Sequence, residues 1–286
     1  MGKKKNYFTE EEIRILQPNE KIALVGTINP EGFVHVSLLS SLMPLDSNHM
    51  AFGEFTKGLS KEYIKENPKI GFLILTLDKK LFRGKAQFTH FEKEGEIYNK
   101  FNEIPMFRYN SYFGINTVYR LDLLDVTEKE DLPYLSIGLS FAQTYLANIF
   151  IKNKNKNGDD LPFSNPFVRQ IMNTSGLLKF ICYLDDDGYP YFIPAIQISV
   201  MNDKSLIFGT AAYKDELCKI KKGKVVGVYC LTLKMETIFL RGTFIGIKKR
   251  FGIPYGQIDI DYVYNSMPPV HKQIYPSNPV KEVIEF

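Results

Sequence analysis

Short runs of β-branched and aromatic residues recur along this chain, each bounded by Gly, Pro, Asn or Asp. Lys21–Ile28 (KIALVGTI) and Leu178–Leu184 (LKFICYL) are two of them. Such runs predict strands, because branched and aromatic side chains pack well on a pleated surface. Each is followed by a turn signal, Asn29-Pro30-Glu31-Gly32 or Asp185-Asp186-Asp187-Gly188, whose Gly takes positive φ at little cost. A further run follows each turn, residues 33–42 (FVHVSLLSSL) and 189–200 (YPYFIPAIQISV), so both pairs predict hairpins. A third strand ends at Phe52-Gly53 or Phe208-Gly209, after turns at Asp46-Ser47-Asn48 and Asn202-Asp203-Lys204. In residues 58–68 (GLSKEYIKENP), Leu59, Tyr63 and Ile64 fall at helical spacing and Pro68 stops the run, which predicts a short helix. Further strands are expected at 70–77, 80–88 and 117–126, with counterparts at 225–233, 237–247 and 257–264. Residues 132–151 again show helical spacing.

The same order of elements therefore occurs twice. At an offset of 156 residues Gly32 falls on Gly188, Ile64 on Ile220, Lys65 on Lys221 and Gly71 on Gly227. Phe52-Gly53 falls on Phe208-Gly209 and Leu75-Thr76-Leu77 on Leu231-Thr232-Leu233; after a two-residue insertion, Arg83-Gly84 falls on Arg241-Gly242. One order and one nearly constant register point to a duplicated domain, since solenoid repeats run only about 20–50 residues. The polar stretch at 152–160 (KNKNKNGDD) marks the boundary. The expected domains are 1–131 and 166–286, with a connecting helix and linker over 132–165. Six short strands with one inserted helix per copy suit a small barrel that hides its edges by closing.

Composition narrows the partners. The 286 residues are 44% hydrophobic and 24% charged, which is ordinary globular usage and excludes disorder. The net charge of +4 is carried almost wholly by lysine, a poor signature for nucleic acid, where Arg forks usually dominate. The run 219–224 (KIKKGK) reads as a solvated helix end and Lys3 to Lys5 as a solubilising tail. Cys182, Cys218 and Cys230 show no CxxC spacing, so neither a disulfide framework nor a zinc site is expected. No stretch approaches the ~20 apolar residues needed to span a bilayer. The first residues lack a secretory apolar core and the hydroxyl residue of a myristoylation signal. A reducing cytoplasm is the expected compartment.

Taken together, the Gly turn, Gly32-Phe33-Val34-His35-Val36-Ser37 on the second strand, Phe52-Gly53, the Ser60-Lys61 helix start, Asn67-Pro68 and Arg83-Gly84 resemble the FMN-binding split barrel of the pyridoxamine 5′-phosphate oxidase-like superfamily. The likeness covers about residues 20–126 and, more weakly, the second copy. It implies a mainly β chain with short helices (α+β), built as two tandem split β-barrels that form an intrachain pseudo-dimer and imitate the family's homodimer. It also implies FMN held where two barrels meet. Thr56, Lys57, Ser60 and Lys61 stand where family members hold the phosphate, at a helix N-terminus where free N–H groups favour anions. The competing reading makes Ser60 a helix cap and the lysines solvated. The family's lysine falls one residue earlier relative to Asn-Pro, which sets Ser60 against Lys61 for that place. The resemblance lays the flavin ring along Val36 to Ser41, with Ser37, Ser40 and Ser41 as small hydroxyls at its edge or, equally, on a solvent-facing strand. In the second copy Thr210, Tyr213 and Lys214 are the phosphate candidates, with the first site favoured over the second. The segment 264–276, with His271, is a candidate pocket wall.

The leading expectation is thus an FMN-dependent oxidoreductase acting on a small molecule or electron donor, as a monomeric pseudo-dimer or a homodimer, without nucleic acid, membrane or metal. True pyridoxamine 5′-phosphate oxidase is disfavoured: the family signature needs a C-terminal Trp and an Arg-x-His arrangement, and this chain has no Trp and no Arg beyond Arg250. A non-catalytic flavin carrier or sensor is the alternative. A third reading is haem binding or degradation, with His35, His49, His90 and His271 the only imidazoles. There is no GxGxxG, P-loop or GxSxG motif.

Overall fold

A computed structural model describes residues 3–17, 20–55, 58–105, 114–151, 161–174, 176–267 and 272–277. The chain is mainly β with short helices, and it divides into two compact units. The first unit comprises the chain up to Pro133 together with Cys182–Phe192; the second comprises Tyr134–Ile181 and the chain from Ile193 onward.

The first sheet contains β1 (Lys4–Lys5), β2 (Lys21–Ile28), β3 (Val34–Leu38), β4 (Met43–Pro44), β5 (His49–Glu54), β6 (Lys69–Thr76), β7 (Lys80–Glu92), β8 (Thr117–Thr127) and β9 (Glu130–Asp131). Helices α1 (Glu10–Leu16), α2 (Leu59–Glu66) and α3 (Glu96–Glu103) accompany it. Helices α4 (Tyr134–Phe150) and α5 (Pro166–Met172) come next. The second sheet holds β10 (Leu178–Leu184), β11 (Pro190–Pro194), β12 (Ser199–Val200), β13 (Ser205–Gly209), β14 (Val225–Leu231), β15 (Thr237–Arg250), β16 (Ile253–Asn265) and β17 (Lys272–Tyr275), with α6 (Lys214–Leu217) between β13 and β14. The first sheet runs β3-β2-β6-β7-β8-β5-β4 and the second β11-β10-β14-β15-β16-β13-β12, one strand order used twice. Val25, Phe52, Phe72, Ile74, Phe82 and Leu121 lie at the heart of the first core.

Two strand expectations need correction. The run 33–42 is not one strand: β3 ends at Leu38, and the Leu42 N–H closes a turn onto the Leu39 carbonyl at 2.9 Å. The run 189–200 breaks in the same way, with Ile198 donating to Ala195 at 3.0 Å. Neither turn contains Gly, and the apolar residues continue through both, so period and punctuation were silent there. Conversely, β7, β15 and β16 run beyond their expected ends. At the β15–β16 hairpin the turn is Phe251-Gly252, both at positive φ (47° and 77°). Phe is a rare residue for that conformation and gave no turn signal. Helix α1 has a legible start, the capping box of Thr9 and Glu12.

The repeated Arg-Gly dipeptide has a structural cause in both copies. A Cβ on Gly84 would overlap the backbone oxygen of Asp125, and one on Gly242 that of Asp259, beside register shifts in each ladder. The neighbouring guanidiniums pair with carboxylates, Arg83 with Glu130 at 2.7 Å and Arg241 with Asp261 at 3.3 Å. Gly84→Ala is therefore expected to lower stability by on the order of 2–3 kcal/mol, since backbone has to move to admit the methyl. Gly138→Ala, in α4 with open space around it, should instead raise stability by about 0.5–1 kcal/mol. Denaturant titration of both variants checks the pair; equal and small effects would remove the close-approach explanation.

Lys21 is buried, and its ammonium donates to the Leu16 carbonyl at 2.8 Å, at the carboxyl end of α1. Burial lowers its pKa from 10.5 to about 8, with Glu20 opposing. Between those values the unfolded chain binds more protons than the folded one, so stability rises with pH across that window. From pH 7.5 to 10 the Lys21 contribution should amount to about 2 kcal/mol. Denaturation of wild type and Lys21→Met at both pH values should show that increment in the wild type alone.

Candidate functional site

In the first unit β2 and β3 pair with Thr27 opposite His35 and Val25 opposite Ser37. Helix α2 brings Ser60 to them. The Ser60 and Ser37 hydroxyls lie 2.7 Å apart, and Thr27 donates to Ser60 at 3.3 Å. Thr27 and Ser60 are buried and Ser37 is half-buried. Ser60 is therefore not a helix cap: it is the second residue of α2, facing the sheet. The N-cap is Gly58, in extended conformation, with no side-chain cap bond and open space around its Cα. Among the described residues no side chain caps this start, and an uncapped helix start presents N–H groups and the positive end of the helix dipole to whatever approaches.

The next residue, Lys61, is buried with its ammonium 3.6 Å from the Glu54 carboxylate. The other oxygen of Glu54 accepts from the Tyr119 hydroxyl at 3.1 Å. Tyr119 in turn stacks on Phe52, its cross-strand partner, with ring centres 4.9 Å apart and planes within 3°. Burial pulls the Lys61 pKa below its ordinary value while Glu54 holds it up. Burial and then the adjacent Glu54 push the Tyr119 phenol upward, so it stays a proton donor across the physiological range. These side chains open into a cleft of about 290 Å³, lined also by Gly58, Lys65, Phe91, Lys93 and Thr117. That volume is at the lower edge of ordinary small-molecule sites. Three lysines against two glutamates, Glu54 and Glu62, leave the lining net positive. Lys65 lies over the Phe91 ring at 5.7 Å.

Of the residues expected at the site, Ser37 and Ser60 come together, while Lys61 meets Glu54 and lines the cleft, whose lining includes neither serine. Val36 is fully buried in β3 opposite Gly26, a core position. Ser40 is half-buried in the turn after β3. Ser41 is buried, and its hydroxyl both donates to the Gly53 carbonyl and accepts from the Gly53 N–H, each at 3.0 Å. Thr56, Lys57 and His271 lie outside the described residues. His35 packs edge-on against Tyr63 at 5.6 Å, His49 sits 2.8 Å from Asp46, and His90 is 3.3 Å from Glu92. Among the described residues no group of three metal-binding side chains is found. Sequence reasoning missed Glu54, Tyr119, Phe91 and Lys93. Tyr119 becomes visible only through the β5–β8 register, and Phe91 and Lys93 lie at the end of β7, past where its pattern was expected to stop.

The second unit shows what the same positions become without this chemistry. At the 156-residue offset Ser41 corresponds to Gln197, whose amide still donates to the Gly209 carbonyl at 2.9 Å. The hydroxyls of Thr27, Ser37 and Ser60 correspond to Tyr183, Ile193 and Glu216, and Lys61 to Leu217. The Thr210 N–H donates to Gln143 of α4 at 2.9 Å, Tyr213 sits at positive φ (52°), and Lys214 is exposed.

No protein-family model matches the chain, and no curated protein sequence does. Solved structures do. An FMN-binding protein from Syntrophomonas wolfei aligns at 17% identity and a TM-score of 0.37, over 41% of this chain and 82% of its own. A protein assigned as a pyridoxamine 5′-phosphate oxidase, from Lactobacillus delbrueckii, aligns at 22% identity and a TM-score of 0.35, over 43% of this chain and 96% of its own. The motility inhibitor MotI of Bacillus subtilis spans 86% of this chain and 88% of its own, at 7% identity and a TM-score of 0.26. Scores this low leave the reading of the site to its own residues. Among the described residues no helix is long and apolar enough to cross a membrane.

The Lys61–Glu54–Tyr119 chain has a direct electrostatic consequence. Glu54→Gln removes the charge that holds the Lys61 pKa up, so Lys61 should titrate at a lower pH than in wild type. The ¹³Cε shift of Lys61 followed against pH reads this; an unchanged midpoint would mean that Lys61 and Glu54 do not interact in solution.

Proposed function

We propose that the chain binds FMN, with the cofactor's phosphate at the start of α2 in the first unit, and works as a flavin-dependent oxidoreductase on a small molecule. The observation that carries the reading is the uncapped, glycine-opened start of α2 beside the buried Lys61 ammonium. The donor set suits a phosphate: Lys61 and the flanking Lys65 and Lys93 as cations, with backbone N–H groups at the helix start. Phe91 and Tyr119 offer aromatic walls beside it. When bound, the flavin supplies the redox chemistry, and the protein's part is binding, orientation and exclusion of water. Glu54 orients the Tyr119 hydroxyl by accepting its one proton, which leaves the phenol oxygen as a hydrogen-bond acceptor for a group in the cleft.

Titration of FMN fluorescence against the purified chain tests this. Wild type should quench FMN, and Lys61→Met should weaken binding about 10–100-fold, the value of one charge-assisted hydrogen bond. Riboflavin, which lacks the phosphate, should bind wild type about as poorly as FMN binds the variant. No quenching at saturating FMN sinks the proposal; equal affinity for riboflavin and FMN sinks the phosphate site. Reduction of bound FMN by NAD(P)H and reoxidation by a substrate support the enzyme, whereas a flavin inert to every donor supports a carrier.

A further inference from the structure

Helix α4 is inside out. Its seventeen residues carry no charge, and its buried positions are Ser140, Thr144 and Ala147, whereas Leu135, Leu139, Phe141 and Tyr145 are exposed. Helices on a protein surface normally turn their apolar stripe inward. The polar side is explained by what it meets. Four consecutive backbone N–H groups at the end of β13 donate to it: Gly209 to Thr144 Oγ1 at 2.7 Å, Thr210 and Ala211 to Gln143 Oε1 at 2.9 and 3.0 Å, and Ala212 to Ser140 Oγ at 2.7 Å. A Cβ on Gly209 would overlap the Ser140 carbonyl oxygen, so helix and strand end are in close apposition.

A row of convergent backbone N–H groups is a binding place for an anion or a carbonyl oxygen. By the 156-residue register this row is the counterpart of Gly53 to Thr56, the approach to the phosphate position of the first unit. We infer that α4 is a built-in occupant of the second unit's ligand position, with Gln143 and Ser140 standing in for the acceptor oxygens of a ligand, so that each chain takes up one flavin. The inference rests on the proposed FMN site of the first unit. Substitutions beside the row agree with it. Where the first unit has Ser60 and Lys61, the second has the buried carboxylate residue Glu216 and the buried Leu217, which replaces the cation and adds an acid. An anion entering there would lack the cation that Lys61 supplies in the first unit and would find its hydrogen-bond donors already used.

Amide hydrogen exchange on the full chain, paired with flavin stoichiometry, tests the inference. In wild type the Thr210 and Ala211 amides should be protected. Gln143→Ala should speed their exchange roughly tenfold, the equivalent of one lost hydrogen bond. Gln143→Glu, which keeps an acceptor at the same reach, should retain protection. Fast exchange of these amides in wild type, or no change in Gln143→Ala, overturns the occupancy. Absorbance of the protein saturated with FMN should give one flavin per chain; at an FMN concentration just sufficient to fill the wild type, that flavin should be largely lost in Lys61→Met and kept in Lys214→Ala. Two per chain, or one that depends on Lys214 and not on Lys61, overturns the inference. A chain that takes up no FMN removes the proposed function, and the exchange result alone then decides whether α4 fills the row.

Discussion

A backbone N–H or C=O taken out of water has to be hydrogen-bonded, and the glycine that follows Phe52 and Phe208 is where this rule shapes both units. On one side β5 is paired with β8 along its length, but on the other β4 matches only Met50 and Ala51. The peptide groups of Gly53 therefore need a partner that is not a strand, and the Ser41 hydroxyl bonds both. This fixes the turn after β3, because Ser41 has to fold back on the strand end, and it sets the direction in which the chain leaves toward Gly58 and α2. In the second unit Gln197 serves the carbonyl alone, and the N–H passes to Thr144. One change of side chain, from a hydroxyl that both donates and accepts to an amide used only as a donor, goes with the recruitment of a whole helix as acceptor.

The fold was legible where periodicity and turn chemistry agree. The strands Lys21–Ile28 and Leu178–Leu184 run as expected. Gly32 and Gly188 both adopt positive φ in the expected turns. Asn67-Pro68 ends α2 as proposed. The constant register of Phe-Gly and Arg-Gly foretold a strand order used twice. What stayed hidden lacks a local signal: turns without glycine, Phe251 at positive φ, and every pairing that depends on a neighbouring strand. Ser41 shows the difficulty well. On the sequence it is one of several small hydroxyls suited to a cofactor edge, and only the β4–β5 geometry reveals that its hydroxyl is committed to the backbone.

The candidate site was half legible for the same reason. Ser60 and Lys61 are visible because a helix start with a hydroxyl and a cation is a local pattern. Glu54 and Tyr119 are not, since they meet through the pairing of β5 with β8, far apart in sequence. They nonetheless give Lys61 its character. A buried ammonium is costly unless paired, and at 3.6 Å Glu54 offsets part of that cost without closing a tight ion pair. A shorter contact would commit the ammonium to Glu54, and no carboxylate at all would favour the neutral amine. At the observed separation burial pulls the Lys61 pKa down and Glu54 opposes that pull.

The two units together argue that site and fold are separable. The Arg-Gly close approach, the Phe-Gly strand end and the turn glycines recur in both copies, and each has a backbone reason. The hydroxyl cluster and the buried lysine occur only in the first, and nothing in the shared strand order requires them. A sheet that holds its shape with Tyr183, Ile193, Glu216 and Leu217 in those places shows that Thr27, Ser37, Ser60 and Lys61 are not needed to build it. The hydroxyls of the first unit are satisfied by one another and Lys61 is paired with Glu54, so this polar arrangement is held by its own contacts and not by the strand order that the two units share.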